Sequence, residues 1–67
     1  MKNSIKDLRA ELNLTQAQLA DKLYVSRQTI NAIEKGKFDP SLPLAFKLSQ
    51  LFAKPIEDIF EWEEEKV

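Results

Sequence analysis

The segment VSRQTINAIEKG, Val25 to Gly36, holds the side chains with the most chemistry in this sequence. An ordinary solvated helix carries Glu, Lys and Ala on its outer side, whereas this stretch places an arginine and two amides there: Arg27, Gln28 and Asn31. At about 100° per residue with Arg27 as zero, Asn31 lies near 40°, Lys35 near 80° and Gln28 near 100°; Thr29, Ile33 and Ile30 lie near 200°, 240° and 300°. One side is therefore a polar stripe about two turns long, and the other is apolar. Arginine and amide side chains make paired hydrogen bonds to base edges, Arg to guanine and Gln or Asn to adenine, so the stripe suits a DNA major groove. Taken alone, such a stripe reads more readily as a polar surface without a partner, and it is the surrounding elements that reverse this.

The other side chains offer little chemistry. The 67 residues include no cysteine and no histidine, which removes disulfide frameworks, the usual zinc sites, thiol nucleophiles and imidazole bases together. Glu61, Glu63, Glu64 and Glu65 form an acidic end, but no electrophile, metal-ligand set or nucleophile pattern accompanies them, and such a run reads as a solvated face. The sequence is read as non-enzymatic, without cofactor or metal and with no evident small-molecule ligand. The formal net charge of −1 hides a split. Residues 1–54 hold nine Lys or Arg against five Asp or Glu, and residues 55–67 hold one against six, so a body of net +4 carries a tail of net −5. A basic body suits phosphate, and an acidic tail turned away from it keeps the wrong surface off DNA. No apolar run nears the roughly 20 residues that span a bilayer, and Met1-Lys2-Asn3-Ser4 leads straight into an amphipathic segment, so a cytoplasmic protein with no membrane partner is expected.

The elements that must position the stripe are helices. Asn3 or Ser4 can cap a first helix whose stripe is Ile5, Leu8 and Leu12, ending around residues 11–13. Thr15-x-x-Gln18 is a capping-box pattern that starts a second helix, with Leu19, Ala20 and Leu23 inward. After a break of three residues, Ser26 caps the third helix and Gly36 stops it. Pro40 keeps Lys37 to Pro40 a loop, Ser41 caps a fourth helix with Leu44, Leu48 and Leu51 along one side, and Pro55 opens a short fifth helix. Glu61-Trp62-Glu63 is expected to be extended. Residues 1–67 thus read as one all-α domain of five helices with a helix-turn-helix at about 15–35, a short C-terminal extended segment, and an acidic, aromatic end at about 56–67. In a helix-turn-helix the second helix of the pair presents base-reading side chains near its N-terminus, which is where Arg27 and Gln28 fall.

Ile5-x-x-Leu8-Arg9, Leu14-Thr15-Gln16-x-x-Leu19-Ala20, Val25-Ser26-Arg27-Gln28-Thr29-Ile30-x-x-Ile33-Glu34-x-Gly36 and Pro40-Ser41-Leu42-x-Leu44 resemble the Cro and phage-repressor (XRE) type of helix-turn-helix regulator, particularly its small single-domain bacterial members. The resemblance covers nearly the whole chain and implies the lambda-repressor-like DNA-binding fold. It implies that Ser26, Arg27, Gln28, Thr29 and Asn31 are the base-reading positions, although the wheel turns Thr29 towards the core side. It implies that Gln16 contacts a phosphate and braces the amide of Gln28, and that Arg9 and Glu34 form a structural ion pair between the first and third helices. Lys35, Lys37 and Ser41 are the further candidates for DNA backbone contacts. Three positions depart from the family pattern. Tyr24 stands where glycine in a left-handed conformation is common, Asp39 replaces an asparagine and cannot donate to phosphate, and Phe38 lacks a tyrosine's hydroxyl.

A chain of this length has one small core, and Ile59, Phe60, Trp62 and Val67 exceed what a solvated tail needs, so a second subunit is the expected cover, with Ile59, Phe60 and Trp62 at the interface; the alternative packs Phe60 and Trp62 on their own subunit, beside Met1-Lys2. The expectation is a homodimeric repressor of a pseudo-palindromic double-stranded DNA operator. The alternative is a protein-interaction module, such as an antitoxin or anti-repressor, in which DNA binding is secondary.

Overall fold

The structure, a computed structural model, describes residues 1–62; the readings made for Glu63, Glu64, Glu65 and Val67 lie outside the described residues. Five helices follow one another: α1 (Ile5–Glu11), α2 (Gln16–Leu23), α3 (Arg27–Glu34), α4 (Leu42–Phe52) and α5 (Ile56–Ile59). The Thr15, Ser26 and Ser41 caps form as expected, and of the two candidates for α1 it is Asn3 whose side chain is used. The Thr15 hydroxyl accepts from Gln18 N at 3.0 Å while Gln18 Oε1 accepts from Thr15 N at 2.9 Å, closing the capping box. Ser26 Oγ accepts from Thr29 N and Ser41 Oγ from Leu44 N, each satisfying an amide that the helix leaves orphaned. At α1 the position of the cap is Ser4, but its side chain does not cap; Asn3 Oδ1 takes the Ile5 amide at 3.2 Å instead.

The first four helices end by one device. Asn13, Tyr24, Gly36 and Ala53 adopt left-handed backbone, with φ of 56°, 58°, 74° and 53°. In each case the next amide turns back to the carbonyl five residues earlier: Leu14 to Arg9, Val25 to Ala20, Lys37 to Ala32 and Lys54 to Ser49, at 3.0–3.1 Å. This is the Schellman arrangement, in which a left-handed residue lets the chain reverse and satisfies a terminal carbonyl. Leu14 and Val25, the residues just past two of these turns, pack against the core and hold the reversals in place. The departure at Tyr24 is thus resolved: a tyrosine takes the geometry that glycine usually supplies.

The core draws on every helix. Ile5, Leu19, Ile30, Ile33, Leu48 and Ile59 are essentially inaccessible, and Leu8, Ala20, Leu23, Leu44, Ala45, Phe52 and Phe60 complete the cluster. Leu12, expected on the inner stripe of α1, falls just past the helix end and is 49% exposed. Beyond α5 the chain runs extended at Phe60, which forms one antiparallel bridge with Asn3; Ser4 N donates to Ile59 O and Glu61 N to Lys2 O, both at 2.8 Å. This pairing corrects the reading of the chain end. Ile59 and Phe60, assigned from sequence to a subunit interface, are 1% and 6% exposed within the single chain, because the bridge to the N-terminal segment draws them into its own core. Trp62 alone of the three stays outward, 77% exposed. Among the described residues no helix is long and apolar enough to cross a membrane.

Ala53 is exposed and holds a left-handed conformation at the end of α4. The strain of a Cβ there, about 1–2 kcal/mol, exceeds the unfolded-state penalty of glycine, about 0.4–1 kcal/mol. Ala53→Gly is therefore expected to stabilise the fold by about 0.5–1 kcal/mol, read as a higher urea midpoint at unchanged slope.

Candidate nucleic-acid interface

α3 is held by its back. Ile30 and Ile33 are 0% and 1% exposed, which fixes the rotation of the helix and turns Arg27, Gln28 and Lys35 out to solvent, as the wheel requires. Asn31 lies on the same stripe but is half-buried, on the side facing α2. Thr29 is also half-buried; its hydroxyl lies 2.9 Å from Ser26 Oγ, so the two hydroxyls share a bond at the start of the helix. Ser26, Lys37 and Ser41 are exposed.

Behind the stripe lies a connected polar network. Arg9 Nε and Nη2 donate to the two oxygens of Glu34 at 2.8 and 3.2 Å, and Nη1 donates to Leu14 O at 2.9 Å. The pair is well shielded, with side-chain exposures of 16% for Arg9 and 7% for Glu34. The hydrogen bond to Glu34 raises the Arg9 pKa above its ordinary value, against the opposing effect of burial, so the guanidinium stays charged at any pH the fold meets. Gln16 Nε2 adds two further bonds, to Glu34 Oε1 at 3.0 Å and to Asn31 Oδ1 at 3.2 Å. The brace that the resemblance assigned to Gln28 therefore falls on Asn31. The reason is rotational: Asn31 sits one turn further along, where α3 passes the start of α2, while Gln28 points to solvent. Among the described residues no buried side-chain nitrogen or oxygen lacks a hydrogen-bond partner.

Two contacts have no local signal in the sequence. Asn3 Nδ2 donates to Ile33 O at 2.8 Å, capping a carbonyl in the last turn of α3 from 30 residues away. The amine of Met1 pairs with Asp39 Oδ1 at 3.1 Å and donates to Gly36 O at 3.2 Å. Asp39, unsuited to phosphate, has a structural partner instead. Electrostatically the result is one-sided. Two acids near the stripe, Glu34 and Asp39, are paired, whereas no acid among the described residues pairs with Arg27, Lys35 or Lys37. Apolar surface is found elsewhere: Leu42 and Phe46 lie one turn apart on α4, 65% and 55% exposed, and Lys47 stands over the ring of Tyr24 at 5.7 Å from its centroid.

Two helices joined by a left-handed turn, the second anchored by isoleucines and presenting unpaired arginine, amide and lysine, define a DNA-binding helix-turn-helix. The chain matches the family described as Helix-turn-helix over residues 5–59 and belongs to it, as a regulator of the Cro and phage-repressor (XRE) type. It is 62% identical over 66 residues to an uncharacterized HTH-type transcriptional regulator of Methanocaldococcus jannaschii, covering 98% of this chain and 100% of that one. It is also similar to the HTH-type transcriptional activator BcrR of Enterococcus faecalis, 40% identical over 90% of this chain and 29% of the relative. The cryptic phage CTXphi transcriptional repressor RstR of Vibrio cholerae is 35% identical over 85% of this chain and 51% of its own length. The protein is a transcriptional regulator carrying a helix-turn-helix DNA-binding domain.

Removing one member of the shielded ion pair strands the other. Glu34→Ala is expected to cost about 3–5 kcal/mol, whereas the double replacement Arg9→Met with Glu34→Leu should recover most of that loss. Urea denaturation of the single and double variants measures both; equal stability of the two would remove the ion pair from the account of how α3 is held.

Proposed function

We propose that this protein is a sequence-specific regulator that binds a pseudo-palindromic operator as a homodimer, with α3 in the major groove, and represses by excluding polymerase. The observation that carries the reading is the stripe of α3. Its arginine and amides are the groups that discriminate base edges, and Glu34 and Asp39 are already engaged. In this reading Arg27 and Gln28 are the principal base contacts. Asn31 reads a base from the α2 side, and Ser26 and Thr29 contribute at the helix start, where their hydroxyls already bond to each other. Lys35, Lys37 and Ser41 hold phosphates; Lys35 and Lys37 are unpaired cations immediately beyond the reading helix, and the Ser41 hydroxyl can donate while it accepts from Leu44 N.

A two-fold partner would set two α3 helices about 34 Å apart, one turn of DNA, which is the spacing that a palindrome requires. Three of the apolar side chains that a single chain leaves exposed, Trp62 with Leu42 and Phe46, are its proposed contacts. Repression needs only occupancy of a site that polymerase must use. RstR is named a repressor and BcrR an activator, so the sign of regulation is a matter for a promoter fusion carrying the selected operator, where reduced transcription is the expected outcome.

Selection of bound duplexes from a random pool should enrich two inverted half-sites. If each protomer makes three to five phosphate contacts, affinity for the enriched site should fall roughly a thousandfold or more between 50 and 200 mM salt. Gln28→Ala should relax preference at one or two positions of each half-site, at about 1–3 kcal/mol of discrimination, whereas Lys35→Ala should weaken all sequences alike and lower the salt slope by about one per protomer. A pool with no enriched sequence, or a flat salt dependence, would sink the reading. For the dimer, Trp62→Ala and Phe46→Ser should each weaken association in sedimentation equilibrium; unchanged association in both would remove these residues from the interface.

A further inference from the structure

We infer that Gln16 is a positioning residue that fixes which end of the Asn31 amide faces DNA, so that Asn31 reads a base acceptor rather than a base donor. This rests on the proposed binding of α3 in the major groove. The inference follows from the direction in which each hydrogen bond must run. A guanidinium can only donate, so the two bonds between Arg9 and Glu34 run from Arg9. An ionised carboxylate can only accept, so the Gln16 atom 3.0 Å from Glu34 Oε1 is its amide nitrogen. That same nitrogen lies 3.2 Å from Asn31 and has one remaining hydrogen, so the Asn31 atom that meets it is the carbonyl oxygen. The far end of the Asn31 amide is then Nδ2, and no acceptor among the described residues takes it.

An unbraced asparagine can present either end of its amide, because its terminal torsion is soft and roughly two-fold. Here a flip would set Nδ2 against Gln16 Nε2, donor against donor, and break a half-buried bond. The direction imposed by the Arg9–Glu34 pair thus propagates through Gln16 to the outer surface. In the major groove adenine offers N7, guanine N7 and O6, and thymine O4 as acceptors, whereas cytosine offers only its N4 donor. The base opposite Asn31 is therefore one with an acceptor, and cytosine is rejected. The same count revises the phosphate role that resemblance gave Gln16. Both of its amide hydrogens are committed, and the remaining oxygen is an acceptor that a phosphate cannot bond.

Two measurements test the inference, one of them without DNA. In the free protein the Gln16 side-chain amide protons should exchange slowly with solvent and those of Asn31 quickly; the reverse order overturns it. In the duplex selection, Asn31→Ala identifies the base pair read by this residue, and wild type should disfavour cytosine there by about tenfold. Gln16→Met keeps the length of the side chain and leaves Glu34 bonded to Arg9, so the fold should persist, as a urea midpoint checks. Preference at the Asn31 position should then shrink to about threefold or less, while the salt slope stays the same. An intact preference in Gln16→Met overturns the inference and leaves the DNA-binding reading standing. A uniform loss on all sequences, with the preference at the Asn31 position intact, overturns it in favour of a phosphate contact. A wild-type protein with no sequence preference overturns both.

Discussion

The ion pair between Arg9 and Glu34 is where the three helices that make the binding surface meet. Arg9 comes from α1 and Glu34 from the last turn of α3, and Gln16, the first residue of α2, closes onto the same carboxylate. A shielded carboxylate of this kind contributes little net stability over an apolar replacement, but it imposes geometry, because its two oxygens must be filled by donors in fixed directions. The third Arg9 bond, to Leu14 O, extends that geometry into the turn that launches α2. The position of α2 against α3 is thus set from both ends: by isoleucine burial in the core and by this charge-assisted network at the rim. Neither would suffice alone. Apolar contacts tolerate small rotations of a helix, and it is the directional bonds that fix the outward angle of Asn31.

The turns show a second economy of construction. A chain with a single glycine ends four helices in left-handed geometry, three of them on residues with a side chain. At Asn13 an amide side chain suits that region, but Tyr24 and Ala53 bear its steric cost. The reversals at Asn13 and Tyr24 hold because the following apolar residues, Leu14 and Val25, are drawn onto the core, so tertiary burial outweighs a local strain of about 1–2 kcal/mol. The tyrosine also lies against Lys47 of α4, a weak contact that glycine could not make. The helix-turn-helix angle therefore does not need the glycine that the family pattern favours.

The two ends of the chain act as a clamp on the same region. The N-terminal segment pairs with Phe60 on one side and reaches α3 on the other, through Asn3 to Ile33 O and through the Met1 amine to Gly36 O and Asp39. This pairs an acid two residues from Lys37, so Asp39 does not compete for that cation, although the chain as a whole is slightly acidic. Charge placement, rather than net charge, is what suits this surface to a polyanion.

Helix boundaries, the helix-turn-helix and the outward stripe were legible in the amino-acid order, because capping and helical periodicity act over three or four residues: Thr15 with Gln18, Ser26 with Thr29, Ser41 with Leu44, and Arg27 with Asn31 and Lys35. The family pattern also carried Arg9 with Glu34, a pairing across 25 residues that no local rule would supply. What the order of residues could not determine is which side chain Gln16 braces, that Asp39 meets the amine of Met1, that Asn3 caps α3, and that Ile59 and Phe60 belong to the chain's own core. Each of these joins groups 15 or more residues apart, and each is decided by where two helices or two segments happen to cross. Local chemistry fixes what a side chain can bond to, and only the packed fold decides which of several equally suitable partners lies within about 3 Å.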